Sequence, residues 1–175
     1  YEKLAVSGFF EDLSTNTIWI YTSKGFFALN NSKSAIRHFQ SEGTENSLVN
    51  NKVQFINKIS EDYFLIGTDR GLNKFYPSSG KFEMVKFTVN NETFEYKGYY
   101  DALVDDKNRL WIALSEGIII TDPEIDNKNF IHIIEGENAL TSKIIRDLHK
   151  STSGMVWVGT KFGGINIHNI NKQVF

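Results

Sequence analysis

At 175 residues with 41% hydrophobic and 23% charged side chains, the chain is long enough to bury a substantial core and too apolar to be disordered. A net charge of −2, with Lys and Arg scattered instead of striped, gives no electrostatic basis for binding nucleic acid or an anionic membrane. The absence of cysteine excludes a disulfide framework, a thiolate nucleophile and a Cys-ligated metal, and leaves the redox compartment open. No apolar run approaches the about 18 residues of a membrane helix, so no direct membrane insertion is expected of this segment. The opening "YEKLAVSGFF" has neither an initiator Met nor a signal-peptide pattern, and reads as part of a longer protein.

In chain order, the strongest feature is a repeat. Trp19, Leu65, Trp111 and Trp157 are successively 46 residues apart, opening "WIYTSKGF", "LIGTDRGL", "WIALSEGI" and "WVGTKFGG". Each opener is followed six positions later by a glycine, Gly25, Gly71, Gly117 and Gly163. Before three of the openers lies an alternating run, "KVQFINKI", "GYYDALV" and "IIRDLHK", closed by a polar turn. The opener segment is a second strand, rich in β-branched and aromatic residues. A turn of two or three residues ending at the repeated glycine, expected at φ > 0, leads to a third strand such as "GLNKFY" or "GIIIT". "AIRHF", "KFEMVKF" and "NFIHII" are outer strands, and Pro77 and Pro123, again 46 apart, follow third strands.

Four short antiparallel strands per 46 residues predict an all-β fold of β-propeller blades. The blades run approximately 1–46, 47–92, 93–138 and 139–175, a single propeller segment whose last blade lacks its outer strand. Most propellers of this kind need about seven blades to close, and two four-blade arcs would give about eight, within the usual range. A four-blade arc is therefore expected to be covered by the remaining blades of a parent chain or by a second copy in a homodimer.

The aligned units resemble the two-component regulator propeller repeat, whose motif is an Asp-x-x-Gly turn followed by Leu-Trp-Ile-Gly-Thr, a glycine, and an aromatic-Asp-Pro ending. "DDKNRLWIALSEGIIITDP" and "STSGMVWVGTKFGGINIHN" carry most of it; "SEDYFLIGTDRGLNKFYP" and "STNTIWIYTSKGFFALN" carry it more loosely. Leu65 in place of Trp, and Ala113-Leu114 in place of Gly-Thr, are departures. The resemblance implies the periplasmic ectodomain of an inner-membrane hybrid two-component sensor of the Bacteroidetes type, with a histidine kinase elsewhere in the parent and an oligosaccharide as signal. The alternative is a structural or protein-interaction segment without a small-molecule pocket.

The tryptophans are expected to pack between blades. Asp106, Asn108 and Trp111 have the spacing of the structural Asp-box turn of sialidase propellers, but the four arginines form no cluster, so no catalytic residue is assigned. Histidines 38, 132, 149 and 168 lack metal-ligand spacing, and Asp122, Glu124 and Asp126 lack the glycine and final glutamate of a calcium loop; no metal and no cofactor are expected. Ligand recognition is expected at the turns between second and third strands and at the blade connections. The candidates are Lys24, Asp69, Arg70, Glu116, Lys161 and Phe162, with Tyr96, Tyr99 and Tyr100 from the third connection.

Overall fold

The computed structural model describes residues 4–30, 35–89, 92–94, 96–125, 129–136 and 139–170. The chain divides into two compact units, Tyr1–Met84 and Val85–Phe175. All regular structure among the described residues is β.

The first unit holds two four-stranded antiparallel sheets, each a meander of consecutive strands. The first sheet comprises β1 (Val6–Asp12), β2 (Thr17–Thr22), β3 (Gly25–Asn30) and β4 (Ala35–Phe39); the second comprises β5 (Val53–Lys58), β6 (Phe64–Thr68), β7 (Leu72–Tyr76) and β8 (Lys81–Val85). Pairing puts Phe10, Trp19 and Ala28 on one face of the first sheet. That face meets Ile56, Phe64 and Phe75 of the second sheet in one buried cluster. Its centre is aromatic: the Trp19 ring lies 5.1 Å from Phe64 and 5.7 Å from Phe75, and both contacts are edge-to-face. Trp19 thus packs between sheets, as its place in the repeat predicts.

The second unit begins with a hairpin of β9 (Phe87–Val89) and β10 (Glu92–Phe94). It continues with a four-stranded sheet of β11 (Tyr99–Val104), β12 (Leu110–Leu114), β13 (Gly117–Thr121) and β14 (Ile131–Ile133). A three-stranded sheet of β15 (Ile145–Lys150), β16 (Met155–Thr160) and β17 (Ile165–Asn169) follows. Trp111, Ile118 and Ile120 of the larger sheet share a buried cluster with Leu148, Val156 and Val158 of the smaller one.

Three departures from the sequence reading have local causes. The β9–β10 hairpin was not anticipated; it occupies what reads as a plain connection. The repeated glycine is at positive φ in two units only, Gly25 (φ 88°) and Gly117 (φ 115°), where an added Cβ would also overlap the carbonyl oxygen of Phe39 or of Ile133. In the fourth unit the turn runs four residues and the left-handed position is Gly164 (φ 74°). Finally, Asp105, not Asp106, organises the turn before Trp111. The buried Asp105 carboxylate accepts from Trp111 Nε1 (2.9 Å), from Arg109 Nε (2.7 Å) and from the backbone N–H groups of Lys107 and Arg109 (both 2.9 Å). Asp106 instead pairs at the surface with Lys150 Nζ at 2.5 Å.

Burial differs from sheet to sheet. β6, β12 and β13 are buried along their whole length, so neither face of those strands meets solvent. β2 and β16 alternate, and the second face of each sheet is open. The open face of the first sheet carries Phe9 (72% exposed), Ile20, Phe27 and Ile36 (68%). That of the last sheet carries Trp157, Ile165 (63%) and Ile167 (46%), so Trp157 is the one repeated tryptophan that is only half-buried.

Candidate functional site

The first strand of each of the four larger sheets carries a register shift near its start, between Val6 and Gly8, Val53 and Phe55, Tyr99 and Asp101, and Ile145 and Asp147. Such bulges bend a strand and re-aim the extra side chain. Here the extra residues are Ser7, Gln54, Tyr100 and Arg146, the last three 46 apart. Beside each bulge the turn between second and third strands is clipped by a backbone bond to the residue just before that strand. The N–H groups of Ser23, Asp69, Ser115 and Lys161 donate to the carbonyls of Ala5, Lys52, Gly98 and Ile144 at 2.9–3.2 Å. In three units a threonine at the end of the second strand closes the turn from inside: Thr22, Thr68 and Thr160 donate Oγ1–H to Gly25, Gly71 and Gly164. The Gly-Thr column of the repeat is therefore a turn lock, absent where Leu114 takes its place.

This frame holds the candidate residues. In the first unit, the Lys24 carbonyl accepts from His38 Nε2 (2.7 Å), whose ring stacks on Phe27 at 4.2 Å. Asp69 accepts from Lys52 Nζ (2.7 Å) and from Gln54 at the bulge; Arg70 follows it in the turn, its backbone N–H bound to Thr68 Oγ1.

In the second unit the same end is richer. The Glu116 carbonyl accepts from His132 Nε2 at 2.8 Å, which assigns the imidazole proton to Nε2. His132 Nδ1 is then the acceptor for the Tyr96 hydroxyl at 3.3 Å. Burial, reinforced by the charge of Glu116, pushes the Tyr96 phenol above its ordinary pKa, so it remains a neutral donor. Tyr96, His132 and Glu116 form one chain, and Glu116 also borders an open pocket of about 470 Å³ with Ile134, Glu135 and Lys143. Tyr100, on the bulge, lies under the Arg146 guanidinium of the next sheet's bulge at 4.2 Å. Lys161 and Phe162 sit together at the last turn, the ammonium 4.9 Å from a ring that is 76% exposed. Tyr99 does not belong with them: it is 2% exposed and part of the core.

His132 and Arg146 were not among the sequence candidates. Arg146 occupies the column of Gln54 and Tyr100, and that spacing would have marked it. Of the acidic cluster, Asp126 lies outside the described residues; among the described residues no group of three or more His, Asp or Glu side chains could hold a metal ion.

Solved structures share this arrangement of meandering antiparallel sheets over nearly the whole chain. The extracellular domain BT3049 from B. thetaiotaomicron, assigned to a hybrid two component system, superposes with a TM-score of 0.76 over 97% of this chain at 22% identity. These are β-propeller blades. The extracellular domain BT4673 of the same organism matches 94% of the chain with a TM-score of 0.52 at 18% identity. An ancestral GH74 enzyme matches 95% with a TM-score of 0.65 at 15% identity, so the blade fold serves sensors and enzymes alike. The propeller segment spans 23%, 26% and 24% of these three chains. No family model matches it, and no curated protein matches it closely. No helix among the described residues is long and apolar enough to cross a membrane.

Proposed function

We propose that the chain is a ligand-sensing propeller segment from the periplasmic part of a hybrid two-component sensor, non-catalytic in itself, with a glycan-derived oligosaccharide as its signal. The observation that carries this reading is the blade architecture shared over 97% of the chain with an extracellular domain assigned to such a system. The recognition surface is the turn end of the second unit, where Tyr96, Glu116 and His132 are already hydrogen-bonded and Tyr100 and Arg146 offer a stacked planar pair. Planar side chains on a rigid frame suit the apolar faces of sugar rings, and the polar groups beside them suit the hydroxyls.

Calorimetric titration of the chain with defined oligosaccharides tests this. Binding of a subset is expected, weakened about tenfold or more by Arg146→Ala, which removes one half of the planar pair. No binding by any oligosaccharide favours a structural or protein-interaction segment instead.

The open apolar faces of the first and last sheets are, in this reading, the contacts to further blades of the same propeller. Support comes from the span of the chain, about a quarter of the proteins it matches. Alone, the chain is expected to self-associate as concentration rises in sedimentation velocity. Phe9→Lys with Ile36→Lys should return it toward monomer without loss of stability, because both residues already face solvent. A wild-type chain that stays monomeric at high concentration rules out pairing with a second copy.

A further inference from the structure

Within the second unit one side chain ties neighbouring sheets together at their first strands. Asp101 of β11 accepts the backbone N–H of Leu148 in β15 through Oδ2, at 2.8 Å. Around this bond Trp111 and Ile120 of one sheet pack with Ile145, Leu148, Val156 and Val158 of the other. Asp101 stands opposite Ala113, and Ala113 opposite Ile118, so the carboxylate shares the packed face with them. The contact is thus a carboxylate bond to a first strand, set among apolar side chains.

Both halves of that contact recur on the two open sheet faces. Asp147 lies one 46-residue period after Asp101, at the same place beside the bulge of β15. It stands opposite Gly159, and Gly159 opposite Ile165, on the face that also carries Trp157 and Ile167. Trp157 and Ile167 are paired as Trp111 and Ile120 are. Asp147 is exposed, and among the described residues no hydrogen bond or ion pair engages its carboxylate. The first sheet carries the other half. Phe9 pairs with Ile20 directly after the β1 bulge, as Leu148 pairs with Val158 after the β15 bulge. Val6 stands opposite Thr22 as Ile145 stands opposite Thr160, and Ile18 lies three periods before Val156. Val6, Phe9, Ile18 and Ile20 therefore hold the places of four residues that are buried in the packed contact, yet Val6 and Phe9 are exposed.

We propose that these two faces bind each other between copies of this chain, head to tail. Asp147 of one copy accepts the Phe9 backbone N–H of the next, and Trp157, Ile165 and Ile167 cover Phe9 and Ile20. The inference rests on the reading of the open faces as blade contacts and names their occupant. A second copy fits because each face repeats, position for position, one side of a contact the chain already makes. Pairing of two last sheets would instead bury two Asp147 carboxylates with no strand N–H to receive, which is costly. The oligosaccharide titration judges the sensor reading separately, since neither face includes Tyr96, Glu116 or His132.

Sedimentation velocity with two face-specific variants tests this. Phe9→Lys with Ile36→Lys disables the first-sheet face, and Ile165→Lys with Ile167→Lys disables the last-sheet face. All four side chains are exposed, so both variants should fold. A head-to-tail contact needs one face of each kind, so each variant alone should stay monomeric. An equimolar mixture should form a dimer containing one of each, through the face each retains. Asp147→Ala should weaken wild-type association about tenfold, the loss of a hydrogen bond to a charged acceptor. Asp62→Ala removes the same charge from the exposed β5–β6 turn and should leave association unchanged. A monomeric wild-type chain overturns the proposal, as does a mixture that stays monomeric while the wild type associates. Self-association of either variant alone, or equal affinities of Asp147→Ala and wild type, also overturns it while leaving the open faces as blade contacts.

Discussion

Asp105→Ala is expected to destabilise the chain by about 3 kcal/mol, measured as a shift in the chemical denaturation curve. The carboxylate is fully buried and receives hydrogen bonds from an indole, a guanidinium and two backbone amides. Alanine removes the carboxylate that accepts the Trp111 N–H, at a site with no solvent access. Arg109 is about one-third exposed, so water can take over its side chain, which keeps the loss toward the lower end for a broken buried pair. The same residue sets an acid limb. Burial alone would raise the Asp105 pKa, but the bonds from Arg109 and Trp111 and the Arg109 charge outweigh it and hold the carboxyl below its ordinary value. A group whose folded pKa is depressed contributes fully above its unfolded pKa, about 3.9, and loses that contribution as pH falls through the lower folded value. Asp105→Asn should therefore flatten the stability profile below about pH 4 as well as lowering it at neutral pH. A variant whose acid limb matches the wild type would show that other carboxylates dominate it.

Phe75→Ala should cost about 3–5 kcal/mol, the range for removing a fully buried aromatic ring. Phe75 has no solvent exposure, and its ring centroid lies 4.7–6.4 Å from those of Trp19, Phe26, Phe39, Phe64 and Phe82. Rings from both sheets of the first unit meet there, so the cavity left behind is walled by stiff, flat groups that collapse poorly. Phe162→Ala is the internal control: with 76% of the residue exposed, it should change stability by no more than about 0.5 kcal/mol. Equal losses from the two variants would contradict the core assigned here.

The sequence displays the blades because each one repeats the same local instructions. Trp19, Leu65, Trp111 and Trp157 mark the second strand, and the outer strands read as "AIRHF", "KFEMVKF" and "NFIHII" match β4, β8 and β14. The β9–β10 hairpin escaped because nothing in the other units corresponds to it; the Val-Asn-Asn-Glu run inside it is a turn signal when read alone. Asp106 was preferred to Asp105 on spacing from the tryptophan, whereas the bond is decided by which carboxylate the turn points inward. Of the recognition candidates, Tyr99 was indistinguishable from Tyr100 by composition. A bulge between them and Asp101 sends one ring into the core and the other to the surface.

The strictly sequential meander of each sheet has a consequence for how the chain is made. Every strand pairs with the strand just before or after it, and no long loop must close before pairing begins, which favours rapid local folding. A sheet can form once its own residues have left the ribosome, but its apolar face stays bare until the next sheet is synthesised. The open face of the first sheet, with Phe9 and Ile36 at the surface, is made first and stays bare of every later described residue. During biosynthesis it is the surface most in need of a chaperone.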